Sequence, residues 1–80
     1  MSKYDPLRWH LERSARDSVS MSFDEVAELV GGLPNSAYRY EAWWANEEVG
    51  THVQAKAWMS VGYHTERVNL SSRTVTFRQH

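Results

Sequence analysis

The chain has 80 residues, of which 41% are hydrophobic and 12% aromatic, with four Trp, no Cys and a net charge of −1. This length is one domain, residues 1–80, and so small a chain needs a dense core, which the aromatic residues can supply. The missing cysteines exclude a disulfide scaffold, a thiolate zinc site and a Cys nucleophile. No apolar run approaches the roughly 18 residues of a membrane helix, and no signal-peptide apolar stretch follows Met1, so a soluble, cytoplasmic domain without a membrane partner is expected.

The first element is a helix. Asp5 suits an N-cap and Pro6 the first helical position, where its missing N–H is not needed. Leu7 and Leu11 then share one face, and the helix ends near Arg13 or Ser14. After the polar patch Ser14-Ala15-Arg16-Asp17-Ser18, the residues Val19, Met21 and Phe23 alternate with serines, which reads as a short strand over about 19–23. Ser22-Phe23-Asp24-Glu25 is a capping box. It opens a second helix with Phe23, Val26, Ala27, Leu29 and Val30 inward, ended by Gly31-Gly32.

Leu33-Pro34-Asn35-Ser36 is a turn, with Asn35 or Ser36 capping a third helix over about 36–44. Within it, adjacent helical positions set Trp43 and Trp44 about 100° apart, and Trp43 is expected in the core ahead of Trp44. Thr51-His52-Val53-Gln54 is a second box of the Thr-x-x-Gln kind. It opens a fourth helix over about 51–61, with Val53, Ala57, Trp58 and Val61 inward and Gly62 as its stop. The alternating segments Val68-Asn69-Leu70 and Val75-Thr76-Phe77 form a C-terminal hairpin over about 66–78, turning at Ser71-Ser72-Arg73.

The expected fold is therefore α+β, with three or four short helices and a small antiparallel sheet made by the hairpin and the 19–23 strand. A hairpin alone is marginal in water, which is why it should take that third strand. The order resembles a winged helix-turn-helix, and Ala27 with Gly31 fits the small residue and left-handed turn of such a unit. An ordinary amphipathic helix with an ordinary C-cap also accounts for that pair. The departure is two helices where the simple winged fold has one.

Several motifs cover almost the whole chain. They are Tyr4-Asp5-Pro6-Leu7, Phe23-Asp24-Glu25-Val26, Leu33-Pro34-Asn35-Ser36-Ala37, Trp43-Trp44-Ala45-Asn46, His52-Val53-Gln54-Ala55-Lys56-Ala57-Trp58 and Gly62-Tyr63. Together they resemble a small uncharacterised bacterial and phage domain. The resemblance implies a fold and a bacterial or phage setting; it brings no activity and no catalytic residue.

Charge is unevenly spread. Residues 1–48 hold five basic groups against nine acidic ones, whereas residues 49–80 hold Lys56, Arg67, Arg73 and Arg78 against Glu66 alone. A basic last third suits a polyanion. With the fourth helix placed as above, His52, Gln54 or Ala55, Lys56 and Met59 are left outward. Gln can read adenine, Lys can reach guanine or phosphate, and the capped N-terminus around Thr51 suits a phosphate. Asn46 is either a base or phosphate contact or a turn residue. Arg39, Arg73 at the hairpin tip and Arg78 suit the phosphate backbone or minor groove, or else serve solubility and edge protection. Trp43, Trp44 and Trp58 are either core or platforms for unpaired bases.

Catalysis finds no constellation. His10, His52, His64 and His80 lack the His-x-His or His-x-x-x-His spacing of a metal site, and no Gly-x-Ser-x-Gly turn or phosphate loop occurs. The leading expectation is a non-enzymatic, regulatory nucleic-acid-binding domain, duplex DNA first. It would be free of cofactor and metal, and a homodimer would compensate for the few cations. The alternative is a protein-interaction module, such as a phage protein that modulates a host factor. It would use Asp24, Glu25, Glu28, Glu47 and Glu48, with Trp44, Met59 and Tyr63 as anchors.

Overall fold

In the computed structural model, which describes residues 2–47 and 53–79, the chain is α+β, with four α-helices and a three-stranded antiparallel sheet. Helix α1 (Asp5–Ser14) carries Pro6 in its first turn and buries Leu7 and Leu11. Its N-cap is Tyr4, one residue before the expected Asp5, and the Asp5 carboxylate instead accepts the Ser2 amide at 3.0 Å. Strand β1 (Ser18–Ser22) follows, with Met21 buried and Val19 half-buried.

Helix α2 (Phe23–Val30) starts on the expected capping box. The Glu25 amide donates to Ser22 Oγ at 3.0 Å, and the Ser22 amide donates to Glu25 Oε1 at 2.9 Å. It buries Phe23, Val26 and Val30 and ends at Gly31, whose φ of +78° is left-handed. The Lys3 ammonium donates to the Val30 carbonyl at 3.0 Å, tying the start of the chain to this helix end.

The expected helix over 36–44 is instead two pieces. Helix α3 (Asn35–Arg39) stops at Tyr40, which is extended (φ −130°, ψ 123°), and a 3₁₀ segment follows at Glu41–Trp44. The cap is Pro34, with no side-chain bond from Asn35 or Ser36. The Ala37 carbonyl, which a continuous helix would give to the Glu41 amide, accepts the Trp44 indole N–H at 2.9 Å. The break also reverses the tryptophans: Trp44 is 1% exposed, and Trp43 is only half-buried.

Helix α4 (Val53–Met59) is turned about its axis from the expected face. Gln54, Ala55, Ala57 and Trp58 are buried, and Val53 is 52% exposed. The expected 53–57–61 stripe ranks side chains by apolarity alone. Here Gln54 and Trp58 both find polar partners inside, so the face that satisfies them wins. Thr51, and with it the Thr-x-x-Gln box, lies outside the described residues. Gly62 (φ +86°) ends the segment as expected.

Strands β2 (Tyr63–Asn69) and β3 (Thr74–Gln79) form the hairpin, and the sheet order is β1-β3-β2, so β1 supplies the third strand. Met21 lies opposite Val75 and Val19 opposite Phe77 on the core side. A bulge falls between Thr65 and Arg67. The core is a run of rings: Phe23 stacks on Trp44 (4.7 Å), Trp44 on Trp58 (6.2 Å), and Trp58 meets Phe77 (5.4 Å). Tyr4 meets the edge of Trp43 at 5.9 Å.

Ser22→Ala removes one half of the capping box and is expected to cost about 1 kcal/mol in urea unfolding, with the m-value unchanged. Burial raises the Tyr4 phenol above its ordinary 10.0. Its contribution to stability is therefore whole below 10.0 and is lost as the pH rises from there through the folded value. Tyr4→Phe should flatten that alkaline fall in melting temperature.

Candidate nucleic-acid interface

The residues expected to read nucleic acid do not form one group. Thr51 and His52 lie outside the described residues. Gln54, expected outward, is 6% exposed, and its Nε2 donates to the Trp43 carbonyl at 2.9 Å. Ala55, expected as an open approach to a groove, is fully buried. Neither belongs to an outer face of α4.

Asn46 is committed even more fully. Its Oδ1 accepts the Trp58 indole N–H (2.9 Å), the Thr65 amide (2.8 Å) and the Thr65 hydroxyl (3.1 Å). Its Nδ2 donates to the Thr65 carbonyl at 2.9 Å. The Thr65 hydroxyl is also bonded to the Trp44 carbonyl at 2.6 Å. One short amide thus joins the segment after the 3₁₀ turn, helix α4 and strand β2. Both of its polar atoms are used within the protein, while the residue itself is exposed.

Four expected cations remain on the surface. Lys56 is exposed at a groove between α1 and α4 that Ser2, Asp5, Arg8, Val53 and Ala57 also line. Arg39 is the exposed last residue of α3. Arg73 takes a left-handed conformation (φ +56°) in the hairpin turn, and its guanidinium lies over the Tyr38 ring at 5.4 Å, beside Arg39 in the chain. Arg78 makes an ion pair with Glu66 at 3.5 Å, both side chains being half-exposed.

Neither of the two grooves that Lys56 lines contains Arg39 or Arg73, and a carboxylate stands in each, Asp5 in the one with α1 and Glu47 in the other. Arg8, unremarked in the sequence reading, stands in the groove with α1 and is paired with Asp5 at 3.9 Å. Arg67, counted among the cations of the last third, is exposed on β2. It lies opposite Thr76, whose hydroxyl meets that of Ser20 at 3.0 Å on the side of the sheet away from the core.

Trp44 and Trp58 are fully enclosed and offer no platform for bases, and Tyr63 is buried with its hydroxyl donating to the Arg16 carbonyl at 2.6 Å. Trp44 and Tyr63 are therefore not anchors for a partner. The large exposed apolar side chains among the described residues are Trp9, Tyr40 and Val53. Among those residues no three His, Asp or Glu side chains come together where a metal ion could be held, and no helix is long and apolar enough to cross a membrane.

With this fold and surface described, the comparisons place the chain. It belongs to the family described as Domain of unknown function (DUF7662), which it matches over residues 4–80. No curated protein and no solved structure matches it.

Asn46→Ala strands the Trp58 indole N–H and the Thr65 backbone together. Its expected cost is about 2–3 kcal/mol, above that of a surface substitution, read as a lower urea midpoint. Glu12→Ala, at an exposed position of α1, is the comparison and should cost less.

Proposed function

We propose that this chain is a non-enzymatic nucleic-acid-binding domain of bacterial or phage origin, regulatory and cytoplasmic, with duplex DNA as its partner and a winged helix-turn-helix as its working frame. The observation that carries this reading is topological. A strand sits between the first two helices, the last helix leads straight into a hairpin, and the hairpin's second strand lies in the middle of the sheet, in the order β1-β3-β2. In such a frame the helix before the hairpin enters the major groove and the hairpin tip lies against the backbone.

Here that helix is α4. Its outer side offers Val53, Lys56 and Ser60, with Thr51 and His52 just before it in the chain. Lys56 is the side chain assigned to a phosphate or a guanine. Arg73 and Arg39 beside the hairpin turn, with Arg78 on the sheet, are assigned to the backbone. Gln54 is buried and bonded inside, which takes it out of the reading surface, and the exposed Asn46 has both polar atoms bonded within the protein. Few cations are left, so affinity is modest and strongly salt-dependent.

One observation favours a protein partner instead. Glu25 and Glu28 stand at a groove with His10, Met21 and Leu29, an acidic rim over apolar side chains. That surface would suit a basic, partly apolar segment.

Fluorescence anisotropy with a mixed-sequence duplex at about 50 and about 200 mM salt separates the two. Binding that weakens steeply with salt is expected. Lys56→Glu should weaken it further and lower the slope of log K against log salt by about one, with the circular dichroism spectrum unchanged. Absence of binding at the lower salt removes the nucleic-acid reading and leaves the acidic groove as the working surface.

A further inference from the structure

The turn between β2 and β3, residues 70–73, holds one side chain in a conformation that resists it. Arg73 sits at φ +56°, in the left-handed region, at the end of a hairpin turn where a glycine or asparagine is the usual residue. Its backbone is held there. The Phe23 amide donates to the Arg73 carbonyl at 2.8 Å, and the Ser72 amide before it donates to Asn69 Oδ1 at 2.9 Å. The side chain is exposed, so burial does not account for an arginine at this position. Strain kept where packing has no need of it points to a use of the side chain.

Tyr38 supplies what the turn does not. The Arg73 guanidinium lies over the Tyr38 ring, 5.4 Å from its centre. The ring is itself fixed, since it is half-buried and meets Phe23 edge-on at 5.7 Å. Two other surface arginines are held by carboxylates, Arg8 by Asp5 and Arg78 by Glu66. A carboxylate neutralises the cation and takes its N–H donors. A ring face attracts the cation through its quadrupole and leaves the charge standing. Among the described residues Arg73 has no carboxylate within ion-pair distance.

We propose that Tyr38 is the positioning residue for Arg73, holding its guanidinium ready for one phosphate of the duplex backbone. An unsupported arginine on a hairpin tip has several rotatable bonds to order when it meets a phosphate, and that ordering weakens binding. Here the fixed turn sets where the side chain starts and the fixed ring sets where it ends. The ordering is therefore complete before the partner arrives. Tyr38 acts through Arg73 and carries no charge of its own. The inference rests on the nucleic-acid reading and assigns to it an aromatic side chain alongside the cations.

Anisotropy with the same mixed-sequence duplex at about 50 mM salt should find Tyr38→Leu about threefold weaker, and Tyr38→Phe, which keeps the ring, unchanged. Arg73→Gly should weaken binding and lower the slope of log K against log salt by about one. Tyr38→Leu should leave that slope as it is, because the charge remains. In the Arg73→Gly chain, Tyr38→Leu should cost no further affinity. Urea unfolding adds a readout free of nucleic acid: glycine suits φ +56°, so Arg73→Gly should unfold at a midpoint no lower than that of the unaltered chain. A clear fall there makes Arg73 a residue of the fold and overturns the proposal. Three binding results overturn it while leaving the nucleic-acid reading in place: Tyr38→Leu binding like the unaltered chain, Tyr38→Phe weakening binding as much as Tyr38→Leu, or a loss from Tyr38→Leu that persists without Arg73. An unaltered chain that binds no duplex at that salt removes the reading itself, and the proposal with it.

Discussion

Trp44 is the side chain on which the elements converge. Its ring lies between Phe23 of α2 and Trp58 of α4, Trp43 meets it edge-on at 4.7 Å, and its N–H is bonded to the Ala37 carbonyl of α3. Trp58 carries the run on to Phe77 in the middle strand. Removing an indole of roughly 200 Å² from water contributes about 5 kcal/mol at 25 cal/mol per Å². Small domains have a net stability of about 5–15 kcal/mol, so this burial and the equal one of Trp58 each weigh heavily in the fold. Position 44 can be reached only because Tyr40 leaves the helix, and the short α3 follows from the need to deliver this ring.

The rings also explain the polar bonds around them. An indole N–H taken from water must find an acceptor. For Trp44 the acceptor is a carbonyl freed by the break at Tyr40. For Trp58 it is Asn46, which in turn closes on both backbone groups of Thr65. Asn46, just after the 3₁₀ segment, is thus tied to strand β2 as a consequence of burying two tryptophans. Gln54 belongs to the same arrangement, since its bond to the Trp43 carbonyl sets the rotation of α4 about its axis.

This division accounts for what could be read from the residues alone. The capping box at Ser22 and Glu25, the left-handed Gly31 and Gly62, and the alternation in β1 and β3 depend on neighbours a few positions away, and all were legible. The sheet was legible too, because a hairpin with one apolar face needs a cover and the segment around Met21 was the one available. The end of α3 at Arg39 and the inner face of α4 depend on partners 7 and 11 residues away, Ala37 for Trp44 and Trp43 for Gln54. An apolarity ranking puts Val53 inside and Gln54 outside, and it cannot register that a buried amide has a carbonyl waiting. The candidate site suffered for the same reason: Asn46 and Gln54 have the chemistry of base readers, and the fold had already used it.

The fold's use of its amides and indoles shapes what the surface has left. On α4 the inward bonds leave a narrow outer strip in which Lys56 is the one cation. On β2 the Asn46 amide closes the edge. On β1, by contrast, the serines hold the strand with backbone bonds alone, and their outward groups stay open. Glu25 limits that opening, because the carboxylate that caps α2 also takes the Ser22 amide. The open stretch therefore ends at Ser22, where the capping box that starts the second helix takes the last outward amide of the strand.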